Sequence, residues 1–126
     1  MQPDIADLER LAVFVFDSGK MKADGVHWKA FRPDERGERS FFRIDGLDYA
    51  AIAAIGNEVA AERSQTLHGW AVLRADKARG VTPLQIRSDE PPPRHGVIVG
   101  WPSESQDERS AAQSLARIAG TVRYPN

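Results

Sequence analysis

Short runs in which apolar residues alternate with polar ones recur along this chain, and this pattern is typical of β-strands. The run at residues 11–16 differs, because it is apolar at both odd and even positions. Such a run predicts a strand that is buried on both sides. Five more strands are predicted, over residues 26–31, 40–45, 67–75, 84–87 and 97–99.

Apolar residues at three- and four-residue spacing predict a first amphipathic helix over residues 49–63. Asp48 is its predicted N-cap, since its carboxylate can accept hydrogen bonds from unpaired backbone N–H groups. Gly56 is an unfavourable residue inside a helix and indicates the close approach of a neighbouring element. The predicted buried stripe consists of Ile52, Ile55 and Val59.

A second helix is predicted to begin near Pro102 and Ser103. Two serines, Ser103 and Ser105, each have a Gln or Glu three residues later, so two capping boxes are available and the register stays open. Gly120 suits the C-terminal cap. The predicted buried stripe consists of Ala111, Leu115 and Ile118.

The predicted order is three strands, a helix, three strands and a second helix. It indicates an α+β fold with one mixed or antiparallel sheet of about five to seven strands. Two helices pack on this sheet, most simply on one face. Val122 and Tyr124 either add a short strand or pack back on the body. At 126 residues the chain is expected to form a single domain, 1–126.

Composition narrows the function classes. The chain has no cysteine, which excludes disulfides, Cys-ligated zinc and a thiol nucleophile. Its 17 basic and 18 acidic residues give a net charge of -1, which argues against a purely electrostatic nucleic-acid binder. No apolar run approaches the roughly 18 residues of a membrane span, and the N-terminus has no signal pattern. We expect a soluble cytoplasmic protein without a membrane partner.

The usual enzyme motifs are missing from the sequence. It contains no Gly-x-Ser-x-Gly elbow, no Gly-x-Gly-x-x-Gly and no phosphate-cradling Gly-x-x-x-x-Gly-Lys-Ser/Thr. An enzyme is therefore less favoured than a binding protein, without being excluded, and no cofactor is expected.

The segment around Glu90, Arg94 and His95 is the most unusual local string, because three consecutive prolines precede a basic pair at the start of a buried strand. Arg94, His95 and the N-terminus of the second helix suggest an anion site. The alternative is structural: Arg94 pairs with Glu90, and His95 hydrogen-bonds to backbone.

His68 and His95 each lie near the start of a predicted strand. If those strands are parallel neighbours, the two imidazoles lie at one end of the sheet. They can then act as acid and base, or bind a metal with Asp89 or Glu90. The spacing matches no zinc signature, so no metal site is predicted.

The segment 20–43 carries seven basic and four acidic residues with aromatic residues between them. Such a surface can stack single-stranded bases. The same aromatic residues are needed for a core, so nucleic acid is not the favoured partner.

Two segments, 92–95 (Pro-Pro-Arg-His) and 98–102 (Ile-Val-Gly-Trp-Pro), resemble those of short uncharacterised bacterial proteins. The strings at 14–16 and 42–47 add to this likeness, which covers most of the chain. The resemblance implies a bacterial cytoplasmic protein and no particular activity. It draws attention to Arg43, Arg94, His95 and Trp101 as a shared surface.

These observations favour a non-enzymatic accessory or protein-interaction module that binds a protein partner or a second copy of itself. The alternative is a domain that binds or hydrolyses a phosphate-bearing ligand, a nucleotide or RNA. In that case Arg94 and Arg43 hold the anion, and His95 or His68 acts as acid or base. The candidate binding residues are Arg43, His68, Glu90, Arg94, His95 and Trp101.

Overall fold

A computed structural model describes residues 4–125, in which six strands form one antiparallel sheet and two short strands form a hairpin. The sheet order is β6-β7-β4-β1-β5-β8, which confirms the α+β class. The strands are β1 (Arg10–Val15), β2 (Met21–Lys22), β3 (Gly25–Val26), β4 (Arg39–Arg43), β5 (Gly69–Arg74), β6 (Gln85–Ser88), β7 (His95–Val99) and β8 (Gly120–Arg123). The helices are α1 (Tyr49–Glu62), α2 (Ala75–Arg79) and α3 (Ser105–Ile118), with 3-10 turns at Ser18–Lys20 and Trp28–Phe31.

The two long helices pack on opposite faces of the sheet, so the expectation that they share one face is wrong. Leu11 and Val13 of β1 belong to the core under α3, whereas Ala12 belongs to the core under α1. The physical reason lies in β1 itself. Because this central strand is apolar on both faces, each face needs its own covering layer.

The α1 helix begins as predicted, since Asp48 Oδ1 accepts from the Ala51 N–H at 2.8 Å. The close approach at Gly56 is also confirmed, because a Cβ there would lie 2.7 Å from Cε1 of Phe14. The predicted stripe is only partly right. Ile52 is buried, but Ile55 and Val59 are half-buried, and the rest of the buried face is made of small residues, Ala53, Gly56 and Ala60.

The α3 helix begins two residues later than Ser103, and neither predicted capping box forms. Its N-cap is Glu104, whose side chain makes no capping hydrogen bond. Ala111 and Leu115 are buried as predicted, but Ile118 is 39% exposed. Gly120 does not cap the helix, because the chain turns at once into β8.

The strand predicted over residues 26–31 is wrong. Val26 ends the short β3, and Trp28–Phe31 form a 3-10 turn. His27 Nδ1 accepts from the Lys29 N–H at 3.1 Å, which starts this turn. Val26 and Ala30 of the alternating set are buried here as well, and so is the adjacent Phe31, so a turn can produce a hydrophobic pattern that resembles a strand.

The central strands β1 and β4 separate partway along their length. Their ladder contains the pairs Leu11↔Arg43 and Ala12↔Phe42 and does not continue to Phe14 and Ser40. By contrast, β1 is paired with β5 along its whole length. A split therefore opens between the two central strands on the side where β1 ends and β4 begins.

Candidate functional site

Arg43 is held by an ion pair with Glu9. Its Nε lies 2.7 Å from Glu9 Oε1 and its Nη2 lies 2.8 Å from Oε2. The two side chains are only 16% and 15% exposed. The hydrogen bond from Arg43 lowers the pKa of Glu9 and raises the pKa of Arg43 itself. The charge of Arg43 is thus balanced within the fold.

The Arg94 side chain links the residue before β7 to the end of β4 and to the chain just after it. Its Nη1 donates to the carbonyl oxygens of Arg43 and Asp45, both at 3.2 Å. Its backbone N–H, rather than its guanidinium, donates to Glu90 Oε2 at 2.7 Å. Arg94 and Glu90 therefore do meet, but through the main chain.

His95 lies beside this cluster with a side chain that is 15% exposed. Its Nδ1 is 2.9 Å from the carbonyl oxygen of Asp89, which is the backbone hydrogen bond of the structural alternative. Its ring meets that of Phe42 edge-on, with centroids 5.3 Å apart. Arg43, Glu90, Arg94 and His95 are thus brought together at one end of the sheet.

His68 and His95 do not converge. His68 precedes β5, whereas His95 is the first residue of β7. These two strands are separated by β1 and β4, and they run in opposite directions. The His68 N–H donates to Val15, at the end of β1, whereas His95 is level with Phe42 and Ala12. Strand spacing places the two residues roughly 20 Å apart. The condition for a joint acid–base role is not met.

Trp101 follows the opposite end of β7 from His95. Its Nε1–H donates to Ile98 at 3.0 Å, and its ring packs half-buried against the core under α3. It does not share a surface with Arg43, Arg94 and His95. The roles assigned to these residues in binding stay predictions.

The aromatic residues of segment 20–43 do not form one exposed face. Phe31, Phe41 and Phe42 are buried. Trp28 is half-buried, with the guanidinium of Arg109 5.0 Å from its ring centroid. RNA binding through this segment stays a prediction.

A cavity of about 200 Å³ lies over the split, between α1 and the β4 side of the sheet. Its apolar lining includes Phe14, Phe16, Phe42 and Val59. The rings of Phe14 and Phe42 have centroids 5.7 Å apart and form the floor. At one end the cavity is lined by Arg39, Glu62 and Arg63, and at the other by Pro92 and His95.

Arg39 lies in the split and has an unusual environment. It lines the cavity on the α1 side, while its Nη1 donates at 3.2 Å to Ala30 in the 3-10 turn under α3. Its Nε is buried and makes no hydrogen bond with any described residue. Burial, and next the positive charge of Arg63, lower the pKa of Arg39. Buried donors are normally satisfied, so this one is an exception among the described residues.

Arg63 supplies a second cation at the same end of the cavity. It is the C-cap of α1, and its guanidinium carbon lies 5.5 Å from the ring centroid of Phe16. Arg39 and Arg63 come from different elements, and their like charges repel each other. Such a pair is stabilised when an anion binds between them.

Main-chain groups add to the same end. Hydrogen-bonded pairs alternate along an antiparallel ladder, so Phe14 and Ser40 would form the next such pair after Ala12↔Phe42. The ladder stops before them. From this alternation we expect their N–H and C=O groups to face the split, where Phe14, Ser40 and Arg39 line the cavity.

This cavity was missed by reasoning from the sequence, in which Arg39 counted only as one of several basic residues of segment 20–43. The features that reveal the cavity appear only in the three-dimensional structure. The separation of β1 from β4 depends on strand register, and strand order does not follow from the hydrophobic pattern.

Comparison with protein-family models, with curated proteins and with solved structures gives no match to this chain. The resemblance to short bacterial proteins therefore stays a prediction. Among residues 4–125, every helix is too short or too polar to span a lipid bilayer. The same residues contain no group of three His, Asp or Glu side chains that could bind a metal ion.

Proposed function

We propose that this domain is a binding module for a small organic anion, which it holds between α1 and the split in the sheet. One observation carries the proposal. The Nε of Arg39 is buried without an acceptor at the wall of a cavity that has an apolar floor.

The chemistry of the cavity suits such a ligand. Guanidinium groups bind carboxylates and phosphates strongly, because the charge reinforces each hydrogen bond. The rings of Phe14, Phe16 and Phe42 exclude water from one side, so the attraction of an anion to the half-buried Arg39 is less screened than at the surface, and the exposed Arg63 adds a second cation. Ligand sites typically combine a mostly apolar lining with a few polar groups that fix orientation.

The test is a titration of the ¹⁵N-labelled protein with two organic anions, 3-phenylpropionate and 2-phenylethyl phosphate. We expect saturable amide shifts concentrated at Phe14, Ser40 and Arg63 with at least one of them. The variant Arg39→Met should lose the response. Arg36→Gln is the matched control, because the Arg36 side chain is 81% exposed on a loop.

Two results contradict the proposal. One is the absence of saturable shifts with both anions up to millimolar concentration, the weak end of specific binding. The other is a response in Arg39→Met equal to that of the unchanged chain.

A second candidate, a protein-interaction module that forms a homodimer, is favoured by the position of β6. This strand lies at an edge of the sheet, and among the described residues it pairs with β7 alone. An edge strand is a template for strand addition by a second copy. Native mass spectrometry of the purified chain would reveal a dimer, and Ile86→Pro should abolish it by removing a backbone donor. A strictly monomeric chain contradicts this candidate.

A further inference from the structure

We infer that the ligand of the cavity is an aromatic monocarboxylate, a single ring with one carboxylate on a short chain. This inference rests on the proposed function and deepens it by naming the class of ligand. It follows from the charge, the lining and the size of the cavity.

The charge of the cavity fits an anion with one negative charge. Its lining contains two cations, Arg39 and Arg63, and one anion, Glu62. A second, adjoining pocket is also lined by Arg39 and Arg63. It adds Asp17 and Lys20, whose opposite charges sum to zero. The local charge is therefore about +1, which one carboxylate neutralises. A phosphate monoester carries close to two charges near neutral pH and would place the excess beside Glu62.

The lining fits a flat ring. The floor is formed by Phe14 and Phe42, whose planes are inclined by 52°, and Phe16 continues it with its centroid 6.4 Å from that of Phe14. Aromatic rings pack on one another in offset or edge-to-face arrangements at these separations. Val59 and Pro92 line the sides. An aromatic ring contacts such a floor more favourably than a flexible aliphatic chain does, because it loses less conformational freedom.

The size and polarity of the cavity fix the number of rings and their orientation. The volume of about 200 Å³ is below the roughly 300 Å³ at which pockets for drug-sized ligands begin. Along β4, the distance from Arg39 to Phe42 is roughly 10 Å. One ring with a two-carbon chain spans this distance. The carboxylate then lies at Arg39 and Arg63, and the ring lies towards Phe42 and His95.

The experiment compares four probes by calorimetry and amide shifts: 3-phenylpropionate, 2-phenylethyl phosphate, 3-phenyl-1-propanol and hexanoate. They vary the charge and the ring separately. We expect 3-phenylpropionate to bind most tightly. The neutral alcohol should bind about tenfold to a hundredfold more weakly, since it lacks a charge-assisted hydrogen bond. Hexanoate and the phosphate should each be weaker than 3-phenylpropionate by about fivefold or more.

Variants assign the binding to this cavity. Arg63→Gln changes an exposed residue at the end of α1, so it is expected to fold even if Arg39→Met does not. It should weaken 3-phenylpropionate by about tenfold and leave the neutral alcohol unaffected. Arg36→Gln should bind all four probes as the unchanged chain does.

The outcomes separate the two proposals. Arg63-dependent binding in which hexanoate or the phosphate equals or exceeds 3-phenylpropionate overturns the aromatic monocarboxylate and leaves the proposed function intact. Failure of both anions, 3-phenylpropionate and the phosphate, in the unchanged chain overturns both.

Discussion

Gly56 in α1 lies directly against the ring of Phe14 in β1, so closely that a Cβ at position 56 would be 2.7 Å from Cε1 and 2.8 Å from Cδ1 of the ring. The absence of a side chain at one residue thus allows the helix to rest on an aromatic ring. Because the same ring forms the floor of the cavity, the contact between Gly56 and Phe14 also positions the floor relative to α1.

The first prediction concerns this contact. Gly56→Ala should lower the free energy of unfolding by about 1–2 kcal/mol, because overpacking against a fixed ring outweighs the better helix propensity of alanine. Urea unfolding followed by tryptophan fluorescence measures it, since one of the three tryptophans, Trp70, lies edge-on to Phe14 at 6.0 Å. The control is Gly120→Ala, where the nearest atom would be 3.8 Å away. Equal stability of the two variants would contradict the steric explanation.

The second prediction separates a role of Arg39 in binding from a role in folding. Arg39→Met keeps the length of the side chain and removes a buried donor that has no acceptor. Such a donor costs about 1–3 kcal/mol, which offsets the loss of the hydrogen bond to Ala30. The free energy of unfolding without ligand should therefore change by less than about 1 kcal/mol. A loss above about 2 kcal/mol would show that Arg39 is needed for folding.

The third prediction concerns Glu9 and Arg43. The pKa of Glu9 is below its ordinary value of 4.5, chiefly because Arg43 donates to its carboxylate. The pair therefore stabilises the fold above about pH 4.5, and this stabilisation is lost as the pH falls through the lower pKa of folded Glu9. Glu9→Gln should cost about 2 kcal/mol at pH 7 and progressively less below pH 4.

Urea unfolding at pH 7 and pH 3 measures this difference. The control is Asp7→Asn, since Asp7 pairs with Arg79 although its side chain is 75% exposed. Exposed pairs contribute about 0–1 kcal/mol. A cost of Glu9→Gln that does not change with pH would mean that the carboxylate charge is not the cause.

The fourth prediction compares the N-caps of the two long helices. Asp48→Ala should lower the free energy of unfolding by about 1 kcal/mol, because the Ala51 N–H loses its acceptor. Glu104→Ala should have little effect, since the Glu104 side chain makes no capping hydrogen bond. Thermal unfolding of both variants checks the contrast, and similar costs would contradict it.

The local sequence pattern is sufficient to predict an element where neighbouring residues determine its structure. Asp48, α1, β5 and β7 follow from capping chemistry and periodicity, and the α+β class follows from their order. Sequence reasoning was weaker where two local solutions look alike. Residues 26–31 alternate as a strand does, yet the hydrogen bond between His27 and Lys29 selects a turn.

Contacts between residues that are distant in sequence could not be predicted from the local pattern. The sequence shows that β1 is apolar on both faces. That one helix covers each face follows only when β1 is known to be a central strand. The sequence predicts Arg43 and Arg94 as anion ligands, and the fold gives them partners in Glu9 and in backbone carbonyls. The sequence does not distinguish Arg39 from the other basic residues of segment 20–43, because its environment depends on where β1 and β4 separate.

This separation has a mechanical consequence. The sheet consists of two halves, one formed by β6, β7 and β4 and the other by β1, β5 and β8. The ladder between these halves contains the pairs Leu11↔Arg43 and Ala12↔Phe42. A force that pulls the two halves of the sheet apart should therefore act mainly on this short β1–β4 ladder. The proposed carboxylate should accept hydrogen bonds on both sides of this separation and so link the two halves, and we expect its binding to make the whole sheet more rigid.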